Sequence, residues 1–267
     1  MTQSDSSRGL WRGQPFYARL TAGGLLAFAL VLVVDGVLFV LRGQSGDLAF
    51  VVYIGVPTVV IALLALRIGG WALTLAAVWA VLMLLAGLFF LGPVLSQINS
   101  FWDFAPAVAA IVARLAAAVG GVGSFVQRRR GAVRQTATLT ERRSLVGATA
   151  IVVVLALLSG VLHVTSLESV SAEAKVGAVA VRMKDTQFDP TQLTVQAGQA
   201  VTLIMKNDDL SVHTFTVHEL GINEVVIGGS EKLIAITASD PGNYELVCTI
   251  PGHEAMKGTL VVQAAAP

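Results

Sequence analysis

The sequence predicts a membrane protein in two parts, an all-α bundle of about five transmembrane helices followed by an all-β sandwich. Three observations carry this. The 267-residue chain is 55% hydrophobic and 13% charged, roughly half the charged fraction of an average soluble domain. Its apolar residues gather into five long runs between residues 20 and 165, each close to the ~20 residues that a hydrocarbon core demands. Residues 175–267 have a different character, with β-branched alternation between turn signals and six Lys/Arg against ten Asp/Glu. Such an acidic domain is a poor match for nucleic acid, whose binding rests on neutralising phosphates. A single cysteine excludes an intramolecular disulfide.

The spans are expected at about 20–41, 49–66, 71–94, 104–126 and 145–165. The fourth holds Arg114 and has Pro106 near its mouth, which leaves open an amphipathic helix lying at the interface. Charge bias favours a fifth crossing, because Lys and Arg collect on the cytoplasmic side of short loops. Arg8, Arg12 and Arg19 precede the first span and Arg67 lies in the 67–70 turn. Arg128, Arg129, Arg130, Arg134, Arg142 and Arg143 fill the 127–144 loop, whereas loops 42–48 and 95–103 carry only Arg42. Five spans in a cytoplasmic membrane therefore put the N-terminus inside and the C-terminal domain outside. The first run is followed by further spans and has no small-residue cleavage site, so it reads as an anchor.

Asp35 and Arg114 are costly in hydrocarbon. Either they pair with each other, or Arg114 reaches a headgroup, or they mark a function. Small residues in Ala107-Val-Ala-Ala110 and Ala116-Ala-Ala-Val-Gly-Gly121 permit close helix packing. His163 is the one histidine of residues 1–165, so paired imidazoles cannot hold a haem inside this bundle. Any electron entering through it needs a partner.

A polar linker is expected over 166–177, then strands at 178–184, 192–197, 201–206, 212–218, 223–227, 232–237, 243–248 and 258–263. The separators are Asp189-Pro, Ala197-Gly-Gln, Asn207-Asp-Asp, Gly228-Gly-Ser and Asp240-Pro-Gly-Asn, all natural turn formers. Many short strands without a helical period form a small sandwich or barrel over 178–267.

Chemistry concentrates in one segment, Tyr244-Glu-Leu-Val-Cys-Thr-Ile-Pro-Gly-His-Glu-Ala-Met256. It supplies Cys248, His253 and Met256, while His213 lies upstream in Val212-His-Thr-Phe-Thr-Val217. Singly, each has an ordinary structural explanation: a buried thiol, a turn histidine, a core methionine, a satisfied core histidine. Together, two imidazoles, a thiolate and a thioether are the set that selects copper and tunes it for electron transfer. His218, five residues from His213, faces the other side of a straight strand and is expected not to be a ligand.

Residues 178–264 resemble the cupredoxin family, the blue-copper proteins akin to plastocyanin and azurin. The resemblance rests on Phe188-Asp-Pro, Leu193-Thr-Val-Gln-Ala-Gly198, Val201-Thr-Leu-Ile-Met-Lys-Asn207, His213-Thr-Phe-Thr-Val217, and Tyr244-Glu-Leu-Val-Cys-Thr-Ile-Pro-Gly-His253 running on to Met256-Lys-Gly-Thr-Leu-Val-Val262. It implies a Greek-key sandwich with one copper ion, cycling between Cu(I) and Cu(II), on equatorial His213, Cys248 and His253 and axial Met256. Two departures stand out. Only Glu254 and Ala255 separate His253 from Met256, fewer than blue-copper members have; that spacing resembles the dinuclear copper domain of haem-copper oxidase subunit II, which needs two cysteines. Thr214 also stands where plastocyanin and azurin have an Asn that ties the ligand loops together. Residues 1–165 resemble no comparable family.

The resemblance implies a membrane-anchored electron carrier on the extracytoplasmic face. Its partner would be a redox protein or respiratory-type membrane complex, with His253 as the exit beside Ile250 and Pro251. Asp208, Asp209, Glu219 and Glu254 are candidates for steering a basic partner. Copper handling or sensing, or an accessory copper domain on a transporter or assembly factor, stays open as an alternative. A copper oxidoreductase is disfavoured, since only His163 and His218 remain for a second metal.

Overall fold

The computed structural model describes residues 11, 13–41, 49 and 51–264. Arg8, Arg12 and Arg42, with the rest of loop 42–48, lie outside the described residues. Five helices are long and apolar enough to cross a membrane. They are α1 (Phe16–Leu41), α2 (Val56–Ile68, entered through a π-helical turn at Val51–Gly55), α3 (Gly70–Leu95), α4 (Phe101–Arg129) and α5 (Leu139–Ser166). Most outrun the apolar runs that predict them, because hydropathy marks only the part suited to hydrocarbon. The last helix starts six residues early on a capping box: Thr138 Oγ1 accepts the Glu141 N–H at 3.2 Å, and Glu141 accepts the Thr138 N–H at 2.7 Å.

The chain divides into two compact units, Met1–Gly92 with Ala105–Ala156, and Pro93–Phe104 with Leu157–Pro267. In the first, small residues set the helix spacing. A Cβ on Gly24 would sit 2.5 Å from the Ala113 carbonyl oxygen, and one on Gly120 would sit 2.5 Å from the Thr21 nitrogen, so α1 and α4 approach backbone to backbone. Arg114 is buried in this unit. Its guanidinium donates to the carbonyls of Ala110 (3.0 Å) and Met83 (2.7 Å) and stacks on Phe28. Those bonds satisfy a cation that hydrocarbon would penalise, so the helix around Arg114 is a packed member of the bundle. Ile151, Val154, Leu157, Val161 and Val164 on α5 are each more than half exposed, an apolar surface suited to lipid.

The second unit holds the sandwich. Nine strands form two sheets: β1 (Val179–Lys184), β2 (Gln187–Asp189), β3 (Gln192–Gln196), β4 (Ala200–Asn207), β5 (His213–Val217), β6 (Ile222–Val226), β7 (Glu231–Thr237), β8 (Gly242–Val247) and β9 (Lys257–Gln263). One sheet runs β2-β1-β4-β7 and the other β3-β9-β8-β5-β6. β1 pairs with β4, and β3 with β9, in parallel; the other pairs are antiparallel. All eight expected strands form. β2 is additional. It occupies three residues between a turn at Asp185 and Thr186, both at positive φ, and Pro190.

Inward-facing residues of both sheets meet in one core, in which Phe188 and Phe215 pack edge to face with centroids 6.1 Å apart. Met183, Leu203, Leu246 and Leu260 are fully buried around them. The 166–177 segment is fastened to β7 rather than loose, through the Glu231 N–H to the Glu168 carbonyl (2.9 Å) and a Lys175–Glu231 ion pair (2.7 Å).

Candidate metal centre

His213 opens β5, and Cys248 is the first residue after β8. The loop between β8 and β9 then brings His253 back towards both. Three backbone bonds shape that loop: Cys248 N–H to Met256 O (3.1 Å), His253 N–H to Ile250 O (3.0 Å) and Met256 N–H to His253 O (2.8 Å). Gly252 supplies the reversal at φ 92°, where a side chain would strain the backbone.

The outcome is a compact donor group. The Cys248 Sγ stands 3.8 Å from Nδ1 of His213 and 3.8 Å from Nδ1 of His253. All three ligand atoms lie within 4.8 Å of one another. Metal–sulfur and metal–nitrogen bonds near 2.3 and 2.0 Å in a trigonal plane separate their donor atoms by about 3.7 Å, so the group fits a single shared ion. Among the described residues this is the one such group of three. His213 and Cys248 are buried, and His253 is partly exposed.

Surrounding contacts fix each donor. His213 Nε2–H donates to Asp209 Oδ2 at 2.8 Å, which leaves Nδ1 facing the sulfur. Asp209 also accepts the N–H groups of Asp185 (2.9 Å) and Thr186 (3.1 Å). Its own position comes from Asn207, whose Oδ1 accepts the Asp209 N–H (2.9 Å) and whose Nδ2 donates to the carbonyls of Ser211 and Val226. Asp209 is 3% exposed. The expectation that it steers a partner from the surface is therefore corrected: its carboxylate is spent on the histidine. Asp208 is engaged with Arg182 and Lys206.

Thr214 links the ligand-bearing elements. Its N–H points to Cys248 Sγ at 3.4 Å, and its Oγ1 accepts the Thr249 N–H at 2.8 Å and lies 3.0 Å from Thr249 Oγ1. The hydroxyl thus makes the inter-loop tie. Met256 is fully buried in the sandwich core, bonded through its backbone to both Cys248 and His253. His218 sits apart and exposed in a 3₁₀ turn, His218–Leu220. His163 Nδ1 lies 2.9 Å from the Asn99 carbonyl, outside the donor group.

The electrostatics suit a thiolate. Burial works to raise the Cys248 thiol, but His213, His253 and the Thr214 and Ile250 N–H groups outweigh it and bring it down to about 5. Burial works to lower His213, and the Asp209 hydrogen bond and the sulfur together raise it to about 9. For Asp209, the bond from His213 and the two backbone N–H groups overcome burial and hold the carboxyl below its ordinary range. A preformed thiolate beside two imidazoles is a soft donor set of the kind that selects copper.

Residues 148–262 match the family model described as a cupredoxin-like domain. The sandwich is a cupredoxin-like domain. The match begins within α5 and runs through the sandwich from β1 to Val262, the next-to-last residue of β9. Similar solved structures include auracyanin A, a "blue" copper protein of the green thermophilic photosynthetic bacterium Chloroflexus aurantiacus, at 25% identity over 32% of this chain and 98% of its own, with a TM-score of 0.30. Dithionite-reduced auracyanin of Roseiflexus castenholzii is 21% identical over 34% of this chain and 98% of its own, TM-score 0.30. A chain from a haem-copper terminal oxidase dimer is 22% identical over 46% of this chain and 99% of its own, TM-score 0.30. No curated protein matched the chain.

Proposed function

We propose that this chain is a membrane-anchored mononuclear copper protein that passes single electrons on the extracytoplasmic face of the cytoplasmic membrane. His213, Cys248 and His253, with Met256, would hold the copper ion. The observation that carries the reading is the buried sulfur of Cys248, equidistant at 3.8 Å from Nδ1 of the buried His213 and of the partly exposed His253. Copper, when bound, supplies a one-electron couple between Cu(I) and Cu(II).

The chain's own residues hold that couple rigid. Asp209 keeps the proton of His213 on Nε2, and Thr214 fixes the two ligand elements against each other. A frame that is already organised need not rearrange when charge changes, the same economy by which fixed dipoles assist catalysis. His253 is the partly exposed ligand and serves as the exit, towards a redox protein or respiratory-type membrane complex. Ile250 and Pro251 beside it offer a small apolar contact, with Glu254 at its rim.

The test is spectroscopic, on the full-length copper-loaded chain. Strong visible absorption from a thiolate–Cu(II) bond, with narrow copper hyperfine splitting, is expected and is lost in Cys248→Ala. A colourless Cu(II) adduct indifferent to that substitution would sink the proposal. Met256→Leu is expected to raise the reduction potential while colour persists; an unchanged potential and spectrum would remove Met256 from the ligand set.

A further inference from the structure

Asp103 belongs to the first turn of α4 yet reaches beyond its own helix. Its Oδ2 accepts the backbone N–H of Val212 at 2.9 Å, and the same oxygen accepts the hydroxyl of Ser100. Val212 is buried and directly precedes His213. An acidic residue three positions after a Ser ordinarily turns back to the N-cap N–H. Here the Ser100 N–H goes to the Gln97 carbonyl, at 2.8 Å, and Asp103 is released for the strand that carries the ligand. Segment 93–104 and the sandwich form one compact unit, and Ser159 Oγ on α5 fastens the same segment by donating to the Ile98 carbonyl at 2.7 Å.

We infer that Asp103 is a positioning residue of the metal centre, tethering the strand start at Val212–His213 to the foot of a membrane helix and lowering the reduction potential with its negative charge. The inference rests on the copper reading above. A carboxylate near the site favours the more positive oxidised state over the reduced one. The tether also makes the inner ligand part of a continuous path of bonds into the first turn of α4, whereas the backbone bonds of His253 go to Ile250 and Met256, within its own loop.

The test uses the full-length chain in detergent or nanodiscs. Asp103→Asn keeps an acceptor oxygen for Val212 and removes the charge; it should raise the reduction potential by at least about 59 mV, a tenfold change in a one-electron equilibrium, with thiolate absorption retained. Ser100→Ala keeps the charge and should leave the potential in place. In the metal-free chain, Asp103→Ala should speed hydrogen exchange at the Val212 amide at least tenfold. An unshifted potential in Asp103→Asn, or an equal shift in Ser100→Ala, overturns the charge assignment. Unchanged exchange at Val212 overturns the tether. If the wild-type chain gives no thiolate–copper absorption, the electron-carrier reading falls and the charge assignment with it, while the exchange measurement still decides the tether.

Discussion

Asp209 illustrates how much a single residue can conceal in a sequence. In Asn207-Asp-Asp it has the look of a solvated turn, yet it is buried and holds the proton of His213. Nothing in residue type separates Asp208, which is partly exposed and ion-paired, from Asp209; only the path of the chain does. The gathering of His213, Cys248 and His253 was legible because Cys248 and His253 crowd one loop beside a single upstream histidine strand. Their supporting residues were not, because hydrogen bonding to a ligand needs no fixed spacing. The site predicts its own pH response. At pH 7 Cys248 is already a thiolate, near 5, while His213, near 9, carries a proton on both nitrogens. Metal uptake at Nδ1 displaces one of them, so copper binding should release about one proton per site at pH 7. Affinity should climb with pH until about 9, and fall more steeply below about 5 as the thiol also protonates. Calorimetry in buffers of different ionisation enthalpy measures this; binding without proton release would contradict it. Asp209→Asn should release fewer protons and weaken copper binding about 10- to 100-fold.

At the scale of elements, the sandwich was readable strand by strand because half-buried strands alternate with period two. β2 escaped because three residues between a positive-φ turn and a proline carry too short a pattern. The helices were readable as apolar runs, but their polar ends were not. Glu141, Arg142 and Arg143 continue α5 beyond hydrocarbon length, held by the Thr138 cap. Thr214 shows the same limit in β5. A threonine in a strand is unremarkable by propensity, yet its hydroxyl accepts the Thr249 N–H and joins the strand to the ligand loop. Thr214→Val preserves shape and β-propensity while orphaning that N–H. It should cost about 1–2 kcal/mol, read as a lower denaturant midpoint of the metal-free chain, and should broaden the copper hyperfine lines. An unchanged midpoint and line shape would mean the tie is dispensable.

For the whole molecule, the relevant fact is that segment 93–104 and the sandwich share one compact unit while α4 and α5 run between them. The five-span reading of the sequence expects the arginine-rich connection at residues 128–143 to be cytoplasmic and the sandwich to be outside. In a Cys248→Ala background, Thr136→Cys should therefore resist a membrane-impermeant thiol reagent in intact cells, and Ala174→Cys should react. Both positions are exposed, so accessibility in the folded chain does not decide the outcome. The reverse pattern would place the copper domain in the cytoplasm and remove an extracytoplasmic partner from consideration.

The loop between β8 and β9 has one more implication. The hydrogen bond from Cys248 N–H to Met256 O closes it at its base, directly beyond the last strand pair, Val247 with Lys257. Between those two residues the hydrogen bonds run within the loop or to His213 and Thr214, while Cys248 and Met256 also pack in the core beneath. The length of the stretch from Pro251 to Ala255 is therefore a quantity that descent can alter by insertion or deletion while those two anchors stay in place. The two-residue interval between His253 and Met256 is one setting on a dial, and longer loops transplanted onto this same frame should yield centres of different colour from an otherwise unaltered protein.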